Sequence, residues 1–155
     1  MDYLNMGYYF SVLHRRSQLF IVAACEHLEL TYAEYITLLQ LYKEEGVSQE
    51  KLAGLLYLDK AVIARTLNLL EKKSLIRREQ SKKDRRVKRV YPTENALKEK
   101  TYLQGVLQAW LRYLSKNLSD SALEQISTGI ERLALNAADA NIPGLVRSLE
   151  DYRKP

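Results

Sequence analysis

The sequence predicts a mainly α-helical fold that carries one small β-hairpin. Three observations lead there. Six glycines and three prolines in 155 residues leave few helix breakers. Apolar residues recur at helical spacing behind recognisable capping residues. Two short segments rich in β-branched or aromatic residues, Leu75 to Gln80 and Val87 to Tyr91, flank the polar run SKKDRR. A composition 46% hydrophobic and 28% charged fits one globular domain with a real core.

The first helix is expected from Tyr3 to about Leu28, with Tyr9, Leu13, Phe20, Ala24 and His27 near helical spacing. Its second half is apolar nearly all round, as at a subunit interface. Thr31 and Glu34 have the reciprocal spacing of a capping box, so a second helix should run from there to about Glu44 and stop before Gly46. Ser48 caps a short third helix with Leu52, Leu55 and Leu56 on its apolar face. Asp59 caps a fourth, in which Ile63, Leu67 and Leu70 fall at i, i+4 and i+7. Two short helices joined by a turn make a helix-turn-helix candidate, and the hairpin that follows is read as a wing. Thr93 then caps a long helix with an Ala96, Leu103, Leu107, Trp110 and Leu114 stripe. A last long helix carries Leu123, Ile126, Ile130, Leu133 and Ala137 before Ile142-Pro143-Gly144 breaks it, and Leu145 to Tyr152 is expected as one more short helix.

Charge is unevenly placed. Residues 72 to 89 hold ten basic side chains against Glu79 and Asp84, a local +8, and the remaining 137 residues sum to −3 within a net +5. A mildly acidic body with one basic projection points to a localised polyanion contact. The longest apolar run, LFIVAAC, is far short of the ~20 residues of a membrane span, so no membrane association is expected. One cysteine and no basic, apolar leader in MDYLNMGYYF argue for the cytoplasm.

Catalysis finds no support, because nucleophile-elbow, zinc-protease, phosphate-loop and Cys-x-x-Cys patterns are all missing; the expectation is no enzyme, no cofactor and no metal. Cys25 and His27 lie two apart, ~200° around a helix, and cannot grip one ion. The basic hairpin directly follows a capped helix bearing Lys60 and Arg65 at its outward end. A helix in the major groove beside a cationic hairpin over phosphates or the minor groove is a coherent way to hold double-stranded DNA.

The run LAGLLYLDKAVIARTLNLLEKKSLIRREQSKKDRRVKRVYPTENA resembles the winged helix-turn-helix of the MarR family of bacterial and archaeal transcription regulators. The resemblance rests on Leu70-Glu71-Lys72-Lys73-Ser74-Leu75-Ile76, Asp84-Arg85-Arg86 and Val90-Tyr91-Pro92-Thr93. It implies one domain over 1–155, with 31–97 as the winged DNA-binding part and 1–30 with 98–155 as an intertwined helical dimerisation part. It further implies a homodimer on a palindromic operator, repressing until a small aromatic or lipophilic effector binds. The all-round apolar half of the first helix and the heptad-like last helix support the dimer independently. The alternative is a winged module that binds a protein and has lost sequence-specific DNA binding, which the Ala/Val-rich fourth helix permits.

DNA contacts are expected from Lys60, Ala61, Val62, Ala64 and Arg65 on the fourth helix and from Lys82, Lys83, Arg85 and Arg86 on the wing, with Asp84 shaping the tip by pairing with a wing arginine. Ala61, Val62 and Ala64 stand where the family often has Ser or Thr, which favours thymine methyl contacts. Ser74 replaces a usual glycine at a position expected to be left-handed, and Pro92 is expected to end its strand's ladder early. Arg15 and Arg16 with Tyr35, Tyr42 and Trp110 are expected around the effector. Some relatives sense peroxide through a cysteine near the start of the first helix; Gly7 to Phe10 has none, so no redox control is expected.

Overall fold

Helix caps set the chain's punctuation in the computed structural model, which describes residues 2–81 and 84–149. The order is α1 (Tyr3–Ala24), a single 3-10 turn (Glu26–Leu28), α2 (Tyr32–Lys43), β1 (Val47–Ser48), α3 (Gln49–Leu56), α4 (Lys60–Lys72), β2 (Ile76–Gln80), β3 (Lys88–Pro92), α5 (Glu94–Ser115), α6 (Asp120–Ala138) and α7 (Ile142–Ser148). The chain divides into two units, residues 1–114 and 115–155. Thr31 and Glu34 form the capping box, while Ser48 and Asp59 accept from the first amides of α3 and α4.

Several expectations need correction. The first helix stops at Ala24, four residues early, because Cys25 is buried and the chain tightens into the 3-10 turn, closing with Glu29 in the left-handed region (φ 51°). Ala53 joins Leu52 in the core and Leu55 faces out. Ile142, Pro143 and Gly144 open α7: Pro143 lies in its first turn, where a proline needs no amide partner. Tyr152 lies outside the described residues.

The sheet order is β1-β3-β2, antiparallel throughout. Strand β3 runs through Pro92, opposite Ile76, and the Thr93 N–H still donates to the Leu75 carbonyl at 3.0 Å. Alternate residues of an antiparallel strand bond to opposite sides, so the Pro92 nitrogen faces away from β2 and breaks no bond of that ladder. Gly46, entering β1, has φ 71°, and a Cβ there would lie 2.9 Å from the Tyr91 ring. Only glycine fits both conditions.

The core of the first unit gathers Ile21, Leu30, Leu38, Leu41, Leu52, Ile63, Leu67, Leu70, Val90 and Leu103, each contributing about 1.5–3 kcal/mol by burial. Polar ties anchor α5 across it. Tyr35 donates to the Leu103 carbonyl at 2.8 Å, Tyr42 to that of Ala96 at 2.6 Å, and Trp110 Nε1 to Ser17 Oγ at 2.7 Å. In the second unit α6 has no buried residue, and Ile126, Ile130 and Leu133 of its stripe are exposed.

Ser74 ends α4 in the left-handed region (φ 56°), as its position suggested. Its amide donates to the Glu71 carbonyl (2.9 Å) and that of Leu75 to Leu70 (3.0 Å), the paired bonds of a Schellman motif. Glycine would occupy this conformation without the Cβ penalty. Ser74→Gly should therefore stabilise the fold by about 1 kcal/mol and raise Tm by about 2–4 °C in a thermal melt. A lower Tm would show that the serine side chain supports the turn.

Candidate nucleic-acid interface

Asp59 starts α4 by accepting from the amides of Ala61 and Val62, both at 2.8 Å. Ile63, Thr66, Leu67 and Leu70 fill the buried side, and Thr66 returns its hydroxyl to the Val62 carbonyl (2.9 Å), so it presents no polar group to the exterior. The opposite side carries exposed Ala61, Arg65, Asn68 and Lys72, all within ~60° of one another at 100° per residue. Val62 and Ala64 are half-buried flanks of that face. Lys60 lies 3.9 Å from Glu50 with both side chains in solvent, a pair worth little.

In the hairpin Arg77 faces Tyr91, Glu79 faces Arg89 and Gln80 faces Lys88. At the tip, the Asp84 carboxylate accepts the Arg86 backbone N–H at 2.9 Å while its carbonyl accepts from Val87 at 3.0 Å. Asp84 thus shapes the turn through the backbone. Among the described residues it pairs with no guanidinium, unlike the expectation; its carboxylate makes an Asx-type bond two residues on instead. Arg85 and Arg86 are exposed at this turn; Lys82 and Lys83 lie outside the described residues. A cleft of about 370 Å³ adjoins the hairpin, lined by Ser48 at the α3 cap, Gln49 and Glu50 of α3's start, Lys60 and Ile63 of α4, and Arg86 and Lys88, so three cations share it with one carboxylate. Helix and wing therefore present cations to one concave surface.

The basic run does not act as one block. Lys73 pairs with the buried Glu34 carboxylate at 2.8 and 3.0 Å and donates to the Glu29 carbonyl at 2.6 Å. Arg89 donates to the Gly46 carbonyl at 2.6 Å, and Arg77 pairs with Glu79 and lies 4.7 Å from the Tyr91 ring centre. Arg78 holds Glu71 and Asn68. Its hydrogen bond draws the Glu71 carboxyl below the usual range, helped by the charges of Arg78 and Lys88, and raises the Arg78 guanidinium in turn. Lys72, Arg85, Arg86 and Lys88 are the exposed remainder among the described residues.

The residues expected around an effector are employed separately. Tyr35 is 0% exposed, and its hydroxyl and that of Tyr42 are committed to α5 carbonyls; burial pushes both phenols up to about 12, with Glu99 adding at Tyr42. Trp110 stacks on Phe20 with ring centres 4.9 Å apart. Arg16 is exposed, and Arg15 lines a groove of about 620 Å³ along α1 with Gln18, Leu19, Val22, Ala23 and Glu26. Sequence alone could not separate a tyrosine lining a cavity from one whose hydroxyl meets a carbonyl 68 residues away.

Cys25 is 0% exposed and burial raises its thiol above the ordinary value, which disfavours the nucleophilic thiolate. Low peroxide should leave any DNA affinity unchanged in the native chain and in Cys25→Ser alike. Release from the native chain alone would contradict this.

Residues 30–88 match the model of the MarR family. The chain is 32% identical over 71 residues to the uncharacterized HTH-type transcriptional regulator YybA of Bacillus subtilis, a match covering 46% of this chain and 47% of that protein, so it spans about half the curated relative's length. A crystal structure of MarR superposes with a TM-score of 0.76 at 30% identity, covering 83% of this chain and 88% of that one. A putative MarR family regulator from Listeria monocytogenes, complexed with 26mer DNA, shares the fold with a TM-score of 0.80 at 22% identity, over 84% of this chain and 87% of its own.

Proposed function

The chain belongs to the MarR family of transcription regulators, and from that membership we propose that it is a homodimeric, sequence-specific DNA-binding repressor released by a small aromatic or lipophilic effector. The observation that carries the reading is the shared concave surface, which Lys60 of α4 lines together with Arg86 and Lys88 of the wing. On this reading the exposed face of α4, beside that cleft, enters the major groove, with Arg65 reaching a base edge and the methyls of Ala61, Val62 and Ala64 against thymine. Arg85 and Arg86, with Lys82 and Lys83, follow the phosphates and the adjoining minor groove. The relative bound to 26mer DNA supports this use of the fold.

Homodimerisation is supported by the apolar residues left in solvent on α1, among them Tyr3, Leu4, Tyr8 and Tyr9, and on α6. The α1 groove offers an effector an apolar floor with Arg15 at its rim for an anionic group.

Selection of bound duplexes from a random pool tests the proposal. The native chain should enrich a palindrome, and Arg65→Ala should flatten preference at one base pair of each half-site by about 1–3 kcal/mol. If no sequence is enriched, the regulator reading gives way to a winged module that binds a protein partner.

A further inference from the structure

Arg78 is mostly shielded from solvent on β2, yet its guanidinium reaches the exposed side of α4. Its Nε donates to Glu71 Oε1 at 3.2 Å, its Nη2 pairs with the other Glu71 oxygen, and the same Nη2 donates to Asn68 Oδ1 at 2.8 Å. A carboxylate on two nitrogens neutralises the arginine and fixes its plane. Asn68 is exposed and shares its face with Ala61, Ala64 and Arg65, respectively seven, four and three residues before it.

An asparagine amide can in principle sit either way round, but a guanidinium only donates. The atom facing Arg78 must be the carbonyl oxygen. The amino nitrogen Nδ2, with two donors, is then the end left for a ligand. An unrestrained asparagine pairs with adenine by accepting from N6 and donating to N7. With its oxygen engaged, Asn68 is presented chiefly as a donor, suited to guanine O6 and N7 or thymine O4.

We infer that Asn68 is a further specificity-determining residue, reading an acceptor edge in the major groove, and that Arg78 is the positioning residue that sets its polarity. The inference rests on the DNA-binding reading above. It gives Arg78 a task apart from the phosphate contacts assigned to the wing tip.

The test compares the duplex motif selected by the native chain with those of three variants, each first shown by thermal melting to be folded. Asn68→Ala should reduce discrimination about tenfold at one base pair per half-site, distinct from the pair governed by Arg65, while non-specific affinity and salt dependence stay as they were. Asn68→Asp replaces donors with an acceptor and should move preference at that pair toward cytosine, whose N4 donates. Arg78→Lys keeps a cation beside Glu71 but loses the planar fork, and the released amide should shift preference toward adenine. A native motif that survives Asn68→Ala unaltered at every position overturns the inference and leaves the DNA-binding reading standing. Equal weakening on all sequences overturns it too, since that marks a phosphate contact. A native chain that enriches no motif removes both.

Discussion

Lys73→Met should lower unfolding free energy by about 3 kcal/mol and Tm by roughly 10 °C. The Glu34 carboxylate, 0% exposed, has three sets of partners: the Thr31 amide and hydroxyl, both at 2.8 Å, and Lys73 at 2.8 and 3.0 Å. Without the lysine, a charge stays buried against neutral donors alone, a situation that typically costs 3–5 kcal/mol. The lower end applies because a quarter of the Lys73 side chain remains in water, which screens the pair. Glu34→Gln in the same chain removes the buried charge while keeping an acceptor for the capping box, and should recover most of the loss. Urea unfolding at matched protein concentration measures both. A single-variant loss below about 1 kcal/mol would mean that the pair is solvated in solution, and a full loss with no recovery in the double variant would assign it to the Lys73 bond to the Glu29 carbonyl instead of to the buried charge.

The second large effect belongs to the wing. On the proposed reading, Arg85→Ala with Arg86→Ala removes two phosphate-directed cations per chain, four in the proposed dimer, and each neutralised phosphate contributes ~0.9 to the dependence of log K on log salt. The slope should fall by nearly 4, and affinity at 0.15 M salt on the order of a thousandfold, on operator and scrambled duplexes together. Arg89 is the contrasting control, since its guanidinium is engaged by the Gly46 carbonyl. Arg89→Gln should leave the slope near its native value. If the wing pair leaves the slope intact while binding persists, or Arg89→Gln reduces it as much, the division of cations between scaffold and ligand is wrong.

That division explains what could and could not be read in advance. Thr31, Ser48 and Asp59 announce helix starts because capping acts over three residues, and the Ser74 turn is local for the same reason. Strand β1 was not legible: two residues, Val47 and Ser48, cannot display alternation, and their pairing with Val90 and Arg89 depends on a segment some forty residues on. Lys73, Arg77, Arg78, Arg85, Arg86 and Arg89 look alike in a charge count. They separate only once Glu34 is brought to Lys73 across 39 residues and Gly46 to Arg89 across 43. Asn68 could have been noticed three positions after Arg65, but the direction of its amide depends on Arg78, which reaches it only through the sheet. The contact between Trp110 and Ser17 joins residues 93 positions apart, which no local pattern in the sequence reveals.

The pairing of Val47 with Val90 also makes an exchangeable cassette of what lies between. Paired strands run ~4.8 Å apart, so α3, α4 and the hairpin leave and re-enter the scaffold at nearly one point. A segment with adjoining ends can be grafted as a unit, because the host need not move its own chain to receive it. The graft must preserve the faces that Leu52, Ile63, Leu67 and Leu70 bury against Leu38 and Leu41, while the outward positions are at the designer's disposal. Exchanging 47–90 between relatives is thus a route to chimaeras that combine one protein's winged segment with another's helical body.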